Sequence, residues 1–356
     1  MLAGKTILIT GGTGSMGKTF LKRALSGEFG LPKKLIILSR DEAKQHFLRV
    51  EYLNHKSPTD EVIYKNFENI IEFRIGDVRN YHDIVTALNG VDIVINAAAL
   101  KQVPVCEYFA NQAIMTNCTG AQNIVQAIVE HKFPVQTVVG VSTDKACKPV
   151  NVMGMTKALQ ERIFISANIF APKTSFICVR YGNVLASRGS VIPLFHEQIN
   201  SGGPVTITHE DMTRFLLSLD QAVDTVMAAI QSARPGETFI PIVNSSNMMS
   251  IAKALIGKRN IKINVTGIRP GEKMHESLIS EEESHRTYRS GIYYAIQPML
   301  PELLKGLEVK TSDFIGEYSS ERNVMNEAET LALLTKHDLL VSETSTQMTE
   351  RREMIR

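Results

Sequence analysis

No excess of charge of one sign marks this sequence: 39 lysines and arginines stand against 37 aspartates and glutamates, a formal net charge of +2. A nucleic-acid or membrane-surface ligand calls for a field of one sign, so any bound anion must be held by local groups. Cysteine is scarce. Cys106, Cys118, Cys147 and Cys178 lie far apart with no Cys-x-x-Cys, which fits neither a disulfide framework nor a zinc site and suits a reducing cytoplasm. The histidines, His46, His55 and His131 among them, show no ligand spacing, so no metal is expected. No apolar run is long enough to span a bilayer, and a strand begins within five residues of the first, leaving no room for a signal peptide. Repeats and low-complexity blocks are also lacking. The reading is a soluble, cytoplasmic, globular protein, 356 residues being enough for one large or two modest domains.

What is present is alternation. The runs "KTILIT", "KLIILS", "IIEFRIGD", "VDIVINAAA", "QTVVGVST" and "TSFICVRYGN" are strand-like, and amphipathic segments separate them. Repeated βαβ units imply an α/β fold, a Rossmann-type doubly wound parallel sheet. From about residue 184 shorter elements follow ("PVTITH", "DQAVDTVMAAIQSA", "ETFIPIV", "IKINVTG"). They predict a smaller domain over the carboxyl ends of the strands. The expected division is a dinucleotide-binding domain with the catalytic residues over 1–183, a mainly substrate-binding domain over 184–310, and a C-terminal extension over 311–356 with a mobile tail; residues 54–69 read as a polar connection.

"ILITGGTGSMGKTFLKRAL" sets Gly12, Gly14 and Gly17 in G-x-G-x-x-G order between a strand and a helix. Glycine there closes the turn, admits a pyrophosphate and packs helix on strand, so a dinucleotide is expected. At the end of the second strand, "LIILSRDEAKQ" supplies Ser39 and Arg40 where an acidic residue would grip a ribose 2′-hydroxyl. That favours NADP over NAD. Asp41 either caps the next helix or reaches the ribose. Asp77 in "IGDVRN" suits the adenine or is a turn residue, and Ala97, Ala98 and Ala99 offer a flat surface for the cofactor.

"STDKACKPVNVMGMTK" poses a problem. A strand ending in Ser-Thr, followed by a helix carrying Lys157, is how a sugar-nucleotide dehydrogenase presents a Tyr-x-x-x-Lys pair, yet the tyrosine place holds Met153. A thioether moves no proton.

Taken with the glycine turn and the "NAAA" strand end, the chain resembles the extended short-chain dehydrogenase/reductases. More narrowly, "SRDEAKQ", "AAALKQVPVCEYFANQAIMTN", "STDKACKPVNVMGMTK", "RYGNVLASRGSVIPLF", "MTRFLLS" and "RPGEKMHESLIS" resemble the UDP-N-acetylglucosamine 4,6-dehydratases that invert C5, in the soluble branch that serves capsule and O-antigen sugars and carries methionine in the tyrosine place. The chemistry this implies takes hydride from C4 onto NADP, removes the C5 proton, expels the C6 hydroxyl as water and returns hydride to C6, with C3 epimerisation open. The resemblance implies Lys145 as base and Asp144 as acid; a base must be partly neutral, which crowding by Lys157 and exclusion of water favour for Lys145, and burial favours a protonated Asp144, a surface ion pair being the bland alternative for this dipeptide. It has Lys157 on the nicotinamide ribose, Thr143 or Ser142 orienting substrate, and Met153 as an apolar wall or a core residue. The proton of the C4 hydroxyl goes to Lys145 or to a water held by Thr143.

For the cofactor the resemblance implies Gly11, Thr13, Gly14, Ser15, Met16, Ser39, Arg40, Asp41, Lys44, Asp77, Val78, Ala97, Ala98, Ala99, Lys101, Asn117 and Lys157. For a UDP-sugar it implies Lys101, Asn183, Arg188, Val191, Arg214, Arg269 and Glu272, the arginines as bidentate forks on the diphosphate. It also implies a homo-oligomer, a hexamer in soluble relatives. Two other readings compete. A UDP-sugar 4-epimerase shares the C4 oxidation but has no use for the adjacent Asp144 and Lys145, and a catalytically silent NADP-binding regulator would need no substrate arginines.

Overall fold

In the computed structural model the described residues are 1–53, 63, 66–187, 189–306, 308, 310, 312, 314 and 316–341. Most of the polar connection at 54–69, the phosphate candidate Arg188 and the expected tail lie outside them. The six strand-like runs form β1 (Thr6–Thr10), β2 (Lys34–Ser39), β3 (Ile71–Ile75), β4 (Ile93–Asn96), β5 (Thr137–Thr143) and β6 (Ser175–Tyr181). Beyond them come β7 (Asn183–Val184), β8 (Val205–Ile207), β9 (Thr213–Leu217), β10 (Thr238–Pro241), β11 (Ser245–Asn247), β12 (Ile263–Val265), β13 (Ser277–Ile279), β14 (Thr287–Ser290), β15 (Tyr293–Ile296), β16 (Tyr318–Ser319) and β17 (Val324–Met325).

The main sheet runs β14-β15-β10-β6-β5-β4-β1-β2-β3. Its part β3-β2-β1-β4-β5-β6 is parallel throughout, the order of a doubly wound dinucleotide fold, as the sequence predicts. The expected boundary at 183 does not divide this sheet. β10 pairs in parallel with β6, and β15 and β14 follow antiparallel, so the chain returns to cover an edge that would otherwise leave the N–H and C=O groups of β6 unpaired. Small sheets β17-β11-β9-β7, β12-β8 and β13-β16 build the second region.

The strands are apolar on both faces because helices cover both. Helices Ser15–Leu25 and Leu219–Ser232 bury Phe20, Leu21, Leu25, Val223 and Val226 on one side. Tyr81–Leu88, Gly120–His131 and Val152–Phe170 bury Ile84, Leu88, Ile124, Ile128 and Phe164 on the other. Each such large side chain contributes about 1.5–3 kcal/mol by leaving water. A third apolar cluster, with Phe195, Ile199, Leu216, Ile251 and Leu255, forms the core of the second region. Among the described residues no helix is long and apolar enough to cross a membrane.

Candidate active site

At the carboxyl end of β1 the chain turns through Gly11, whose φ of +68° suits only glycine; a Cβ there would stand 2.8 Å from the backbone of Ala98. The strained turn is thus at Gly11, one residue before the Gly12 that opens the predicted motif. Gly17 packs against the backbone of Gly12, while Gly14 is exposed and begins helix Ser15–Leu25 with no side-chain cap. An uncapped helix start behind a glycine turn is a cradle for a pyrophosphate, so the residues present fit a dinucleotide. Thr10 ties the cradle to the neighbouring strand: its hydroxyl donates to Asn96 at 2.7 Å and accepts from the amide of Ala98 at 3.2 Å.

Around the cradle several expected cofactor residues satisfy one another. The hydroxyls of Thr13 and Ser39 are 3.2 Å apart. Asp41 caps helix Glu42–Leu53, accepting from the amide of Lys44 at 3.0 Å, and its carboxylate also pairs with the Lys44 ammonium. Asp77 receives a fork from Arg79 (2.9 and 2.6 Å) and has Arg40 at 3.6 Å. Burial opposes ionisation of Asp77, but hydrogen bonds from Arg79 outweigh it and hold the carboxyl below its ordinary value. Met16 is half-buried, and Val78 is buried, its carbonyl accepting from Asn123. Asn117, in the π-helical stretch Ile114–Thr119, accepts from the amide of Leu100 at 2.9 Å and donates to Thr156 at 2.9 Å. Its side chain fastens the loop after Ala97–Ala99 to helix Val152–Phe170.

β5 ends at Thr143, and a short turn, Asp144–Ala146, follows. That turn is held against helix Val152–Phe170 by Gly154, where a Cβ would stand 2.2 Å from the carbonyl oxygen of Lys145. Asp144 is wholly buried. Its Oδ1 accepts from Thr143 Oγ1 at 2.8 Å and from Lys145 Nζ at 3.0 Å, and its Oδ2 has no hydrogen-bond partner. Lys145 Nζ also meets Glu276 Oε1 at 3.1 Å. Glu276, in "HES" of the last motif, escaped sequence reasoning because nothing local shows that it returns to Lys145.

One cation between two buried carboxyls decides the protonation. Burial, reinforced by the charge of Glu276, pushes the Asp144 carboxyl up despite Lys145. Burial works against the charge of Lys145, but Asp144 and Glu276 outweigh it and the ammonium is held above its ordinary value. The expectation that Lys157 leaves Lys145 partly neutral is therefore corrected: the opposing cation is Arg214, and the flanking carboxyls dominate. Burial likewise disfavours ionised Glu276, but Lys145, Arg214 and Lys273 keep it below the ordinary range.

Lys157 is itself buried and donates to the carbonyl of Val141 (2.5 Å) and to Gln160 (2.7 Å). Burial pulls it down to about 8 against the charge of Glu161. Met153 is buried with Cys106 and Ala113, against Leu100, Val103 and Val152. The core alternative describes that contact. Alternation along β5 sends Ser142 and Thr143 to opposite faces. Ser142 donates to Glu161 rather than facing substrate, and Glu161 in turn receives a fork from the buried Arg180 of β6 (3.1 and 2.7 Å). Arg180 reaches Glu283 (2.7 and 3.0 Å) and the carbonyl of Leu278 (2.8 Å) with its other edge.

At the substrate end the fork expected of Arg214 is engaged. Nη1 donates to the carbonyls of Thr213 and Met274 and Nη2 to that of Lys273, because this loop backbone needs donors. Arg214 is a clamp on the segment that carries Glu276. Arg269 is exposed, 3.9 Å from Glu272, whose Oε2 is buried without a partner. Asn183 lies in β7, Val191 opens helix Val191–Asn200, and Lys101 is exposed just after the alanine loop. The described residues hold no group of three or more histidine, cysteine or acidic side chains that could bind a metal ion.

Comparison with known proteins agrees with the fold. The family described as polysaccharide biosynthesis protein matches residues 7–298. A protein of Rickettsia typhi named UDP-glucose 4-epimerase is 45% identical over 302 residues, 83% of this chain and 84% of its own. The crystal structure of Pen from Bacillus thuringiensis superposes with a TM-score of 0.84 at 35% identity, over 96% of this chain and 99% of that one. DesIV of Streptomyces venezuelae, a dTDP-glucose 4,6-dehydratase, has a TM-score of 0.65 at 18% identity over 93% of this chain and 96% of its own, a likeness of fold alone. With β3-β2-β1-β4-β5-β6, the glycine cradle and the Ser-Thr strand end in place, the chain belongs to the polysaccharide biosynthesis proteins, within the sugar-nucleotide dehydratases and epimerases of the extended short-chain dehydrogenase/reductases.

Proposed function

We propose that the chain is a C5-inverting UDP-N-acetylglucosamine 4,6-dehydratase that uses NADP and yields a UDP-4-keto-6-deoxy-L-hexosamine. The observation that carries the reading is the wholly buried Asp144, with an unpartnered Oδ2, bonded to Lys145 beside a Met153 that moves no proton. An enzyme that only exchanges the C4 substituent has no need of an acid and a base side by side; one that strips a proton from C5 and a hydroxyl from C6 needs both.

The bound nicotinamide would supply reversible hydride exchange at C4 and C6. Gly11–Met16 would cradle its pyrophosphate, and Ser39 and Arg40 its 2′-phosphate. Once the sugar is a 4-ketone, neutral Lys145 takes the C5 proton while the electron pair passes to the ketone oxygen. Asp144 gives its proton to the C6 oxygen, which leaves as water. Lys157 would hold the ribose of the bound nicotinamide.

UDP-N-acetylglucosamine, incubated with the protein and NADP, should lose one water by mass spectrometry. The 45% identical relative named UDP-glucose 4-epimerase favours a second reading, whose product would be isobaric with substrate. An unchanged substrate would point to a silent regulator and sink both.

Cofactor choice has its own test. Arg40 is half exposed at the end of β2, and Asp41 is engaged with its own helix. Arg40→Glu should weaken NADP by about 10–100-fold, the worth of a charge-assisted contact to phosphate, and NAD by much less. Equal losses in a fluorescence titration would remove the NADP assignment.

Met153→Tyr should not raise the rate of dehydration. The phenol would enter an apolar pocket against Cys106 and Ala113 and overpack it, costing about 1–3 kcal/mol and a few degrees of Tm. A large gain in rate would mean a damaged tyrosine site and would overturn the roles given to Lys145 and Asp144.

A further inference from the structure

We propose that Glu276 is the third member of the proton-handling group, the carboxylate that takes the ammonium proton of Lys145 when Lys145 turns base and that keeps Asp144 an un-ionised acid. This rests on the reading of Lys145 as the C5 base. That reading leaves a difficulty: a base must be neutral, and Lys145 lies between two carboxyls that hold its proton.

The transfer that frees the amine runs uphill, because the ammonium is held above its ordinary value and Glu276 below its own, and the geometry supplies the path for it. Glu276 is buried, its Oε1 is 3.1 Å from Lys145 Nζ, and its Oε2 has no hydrogen-bond partner. A proton passing from Nζ to Oε1 converts ammonium and carboxylate into amine and carboxylic acid, with no change of charge in the buried group. The amine then takes the C5 proton, and one proton has moved at each step. Asp144 cannot take the ammonium proton in place of Glu276, because it must still hold its own proton for the C6 oxygen. Two carboxyls around one buried ammonium each disfavour the ionisation of the other, and the surroundings choose which stays un-ionised. Glu276 faces the cations Lys145, Arg214 and Lys273, whereas Asp144 faces Lys145, Glu276 and the hydroxyl of Thr143. Lys145 faces the two carboxyls and Arg214, and the neighbouring His275 is turned away, to Thr213 and Glu321.

Glu276 is held in place by the backbone. Its amide donates to Ser320 Oγ at 2.9 Å, and its carbonyl accepts from the amide of Ser320 at 2.8 Å. Arg214 clamps the carbonyls of Lys273 and Met274 just before it. A side chain held for packing alone would not place one oxygen on a lysine and leave the other bare.

Two readouts test the proposal. In the infrared, wild type at neutral pH should show the carbonyl band of a buried un-ionised acid, absent in Asp144→Asn. Glu276→Gln should abolish the band, because Asp144 then ionises against Lys145, and Glu276→Asp should retain it. With UDP-N-acetylglucosamine, exchange of the C5 proton with deuterated solvent should slow about 100-fold in Glu276→Gln and recover about tenfold in Glu276→Asp. A band unchanged in Glu276→Gln, no band in wild type, or exchange within about threefold of wild type would each overturn the proposal. If wild type leaves this sugar nucleotide untouched, the functional reading falls by itself, and the infrared arm, which needs no substrate, still decides the role of Glu276.

Discussion

Lys145→Met is expected to abolish water loss and to stop exchange of the C5 proton with solvent, a fall of at least about 1,000-fold, while affinity for NADP stays near wild type. The side chain is close in length, so the change removes the amine and little volume. Cofactor affinity is the control, because Lys145 touches Asp144 and Glu276 and has no place at the glycine cradle. The same substitution removes the cation held between Asp144 and Glu276. Glu276, held below the ordinary carboxylate range in the native protein, contributes stability above its unfolded value of about 4.3 that is lost as pH falls. Asp144, pushed up, acts in the opposite sense: its ionisation costs stability as pH rises above its unfolded value of about 3.9. Without Lys145 both carboxyls resist ionisation, so the variant should be least stable relative to wild type around neutral pH and should close the gap as pH falls. Retained C5 exchange in a folded Lys145→Met would remove Lys145 from the base role, whatever its stability.

The sequence made the first half of the fold legible because every strand of it is a short β-branched run ended by Gly, Asn, Ser or Asp, and because βαβ units leave few arrangements open. The Asp144–Lys145 pair was legible for the same reason, since it lies at a strand end beside the helix of Met153 and Lys157. The rest depends on contacts that no local pattern states. "ETFIPIV" reads as a strand, but its pairing with β6 joins residues far apart in the chain. Glu276 reads as one more charge in a polar motif, and Arg214 as a phosphate arginine, until the loop at 269–276 folds back and takes up its guanidinium. Arg180 did carry a signal. It stands in the apolar run "TSFICVRYGN", and an arginine in a strand buried on both faces must have partners.

Those partners make Arg180→Met the substitution with the largest expected effect on stability, a loss of about 3–5 kcal/mol at neutral pH. Arg180 is buried, forks onto Glu161 on one edge and Glu283 on the other, and is the cation between them. Methionine would leave two carboxylates facing each other in a dry site. The dependence on pH follows from Glu283. Burial opposes its ionisation, but Arg180 holds it down at about 2, so its contribution is present above its unfolded value of about 4.3 and lost as pH falls through about 2. The difference between wild type and variant in urea unfolding should therefore be widest near neutrality and narrow below pH of about 4. A variant as stable as wild type at neutral pH would show that the triad is idle. Glu161→Gln and Glu283→Gln added to Arg180→Met should restore most of the stability, because a neutral cluster of similar volume carries no unpaired charge. The triple variant should still dehydrate slowly. Arg180 also donates to the carbonyl of Leu278 in β13, two residues beyond Glu276, and with that bond gone Glu276 keeps its ties to Ser320 but loses one support of the strand that follows it. Stability recovered without rate would separate the two duties of Arg180, the ion triad behind β5 and the placing of the carboxylate in front of it.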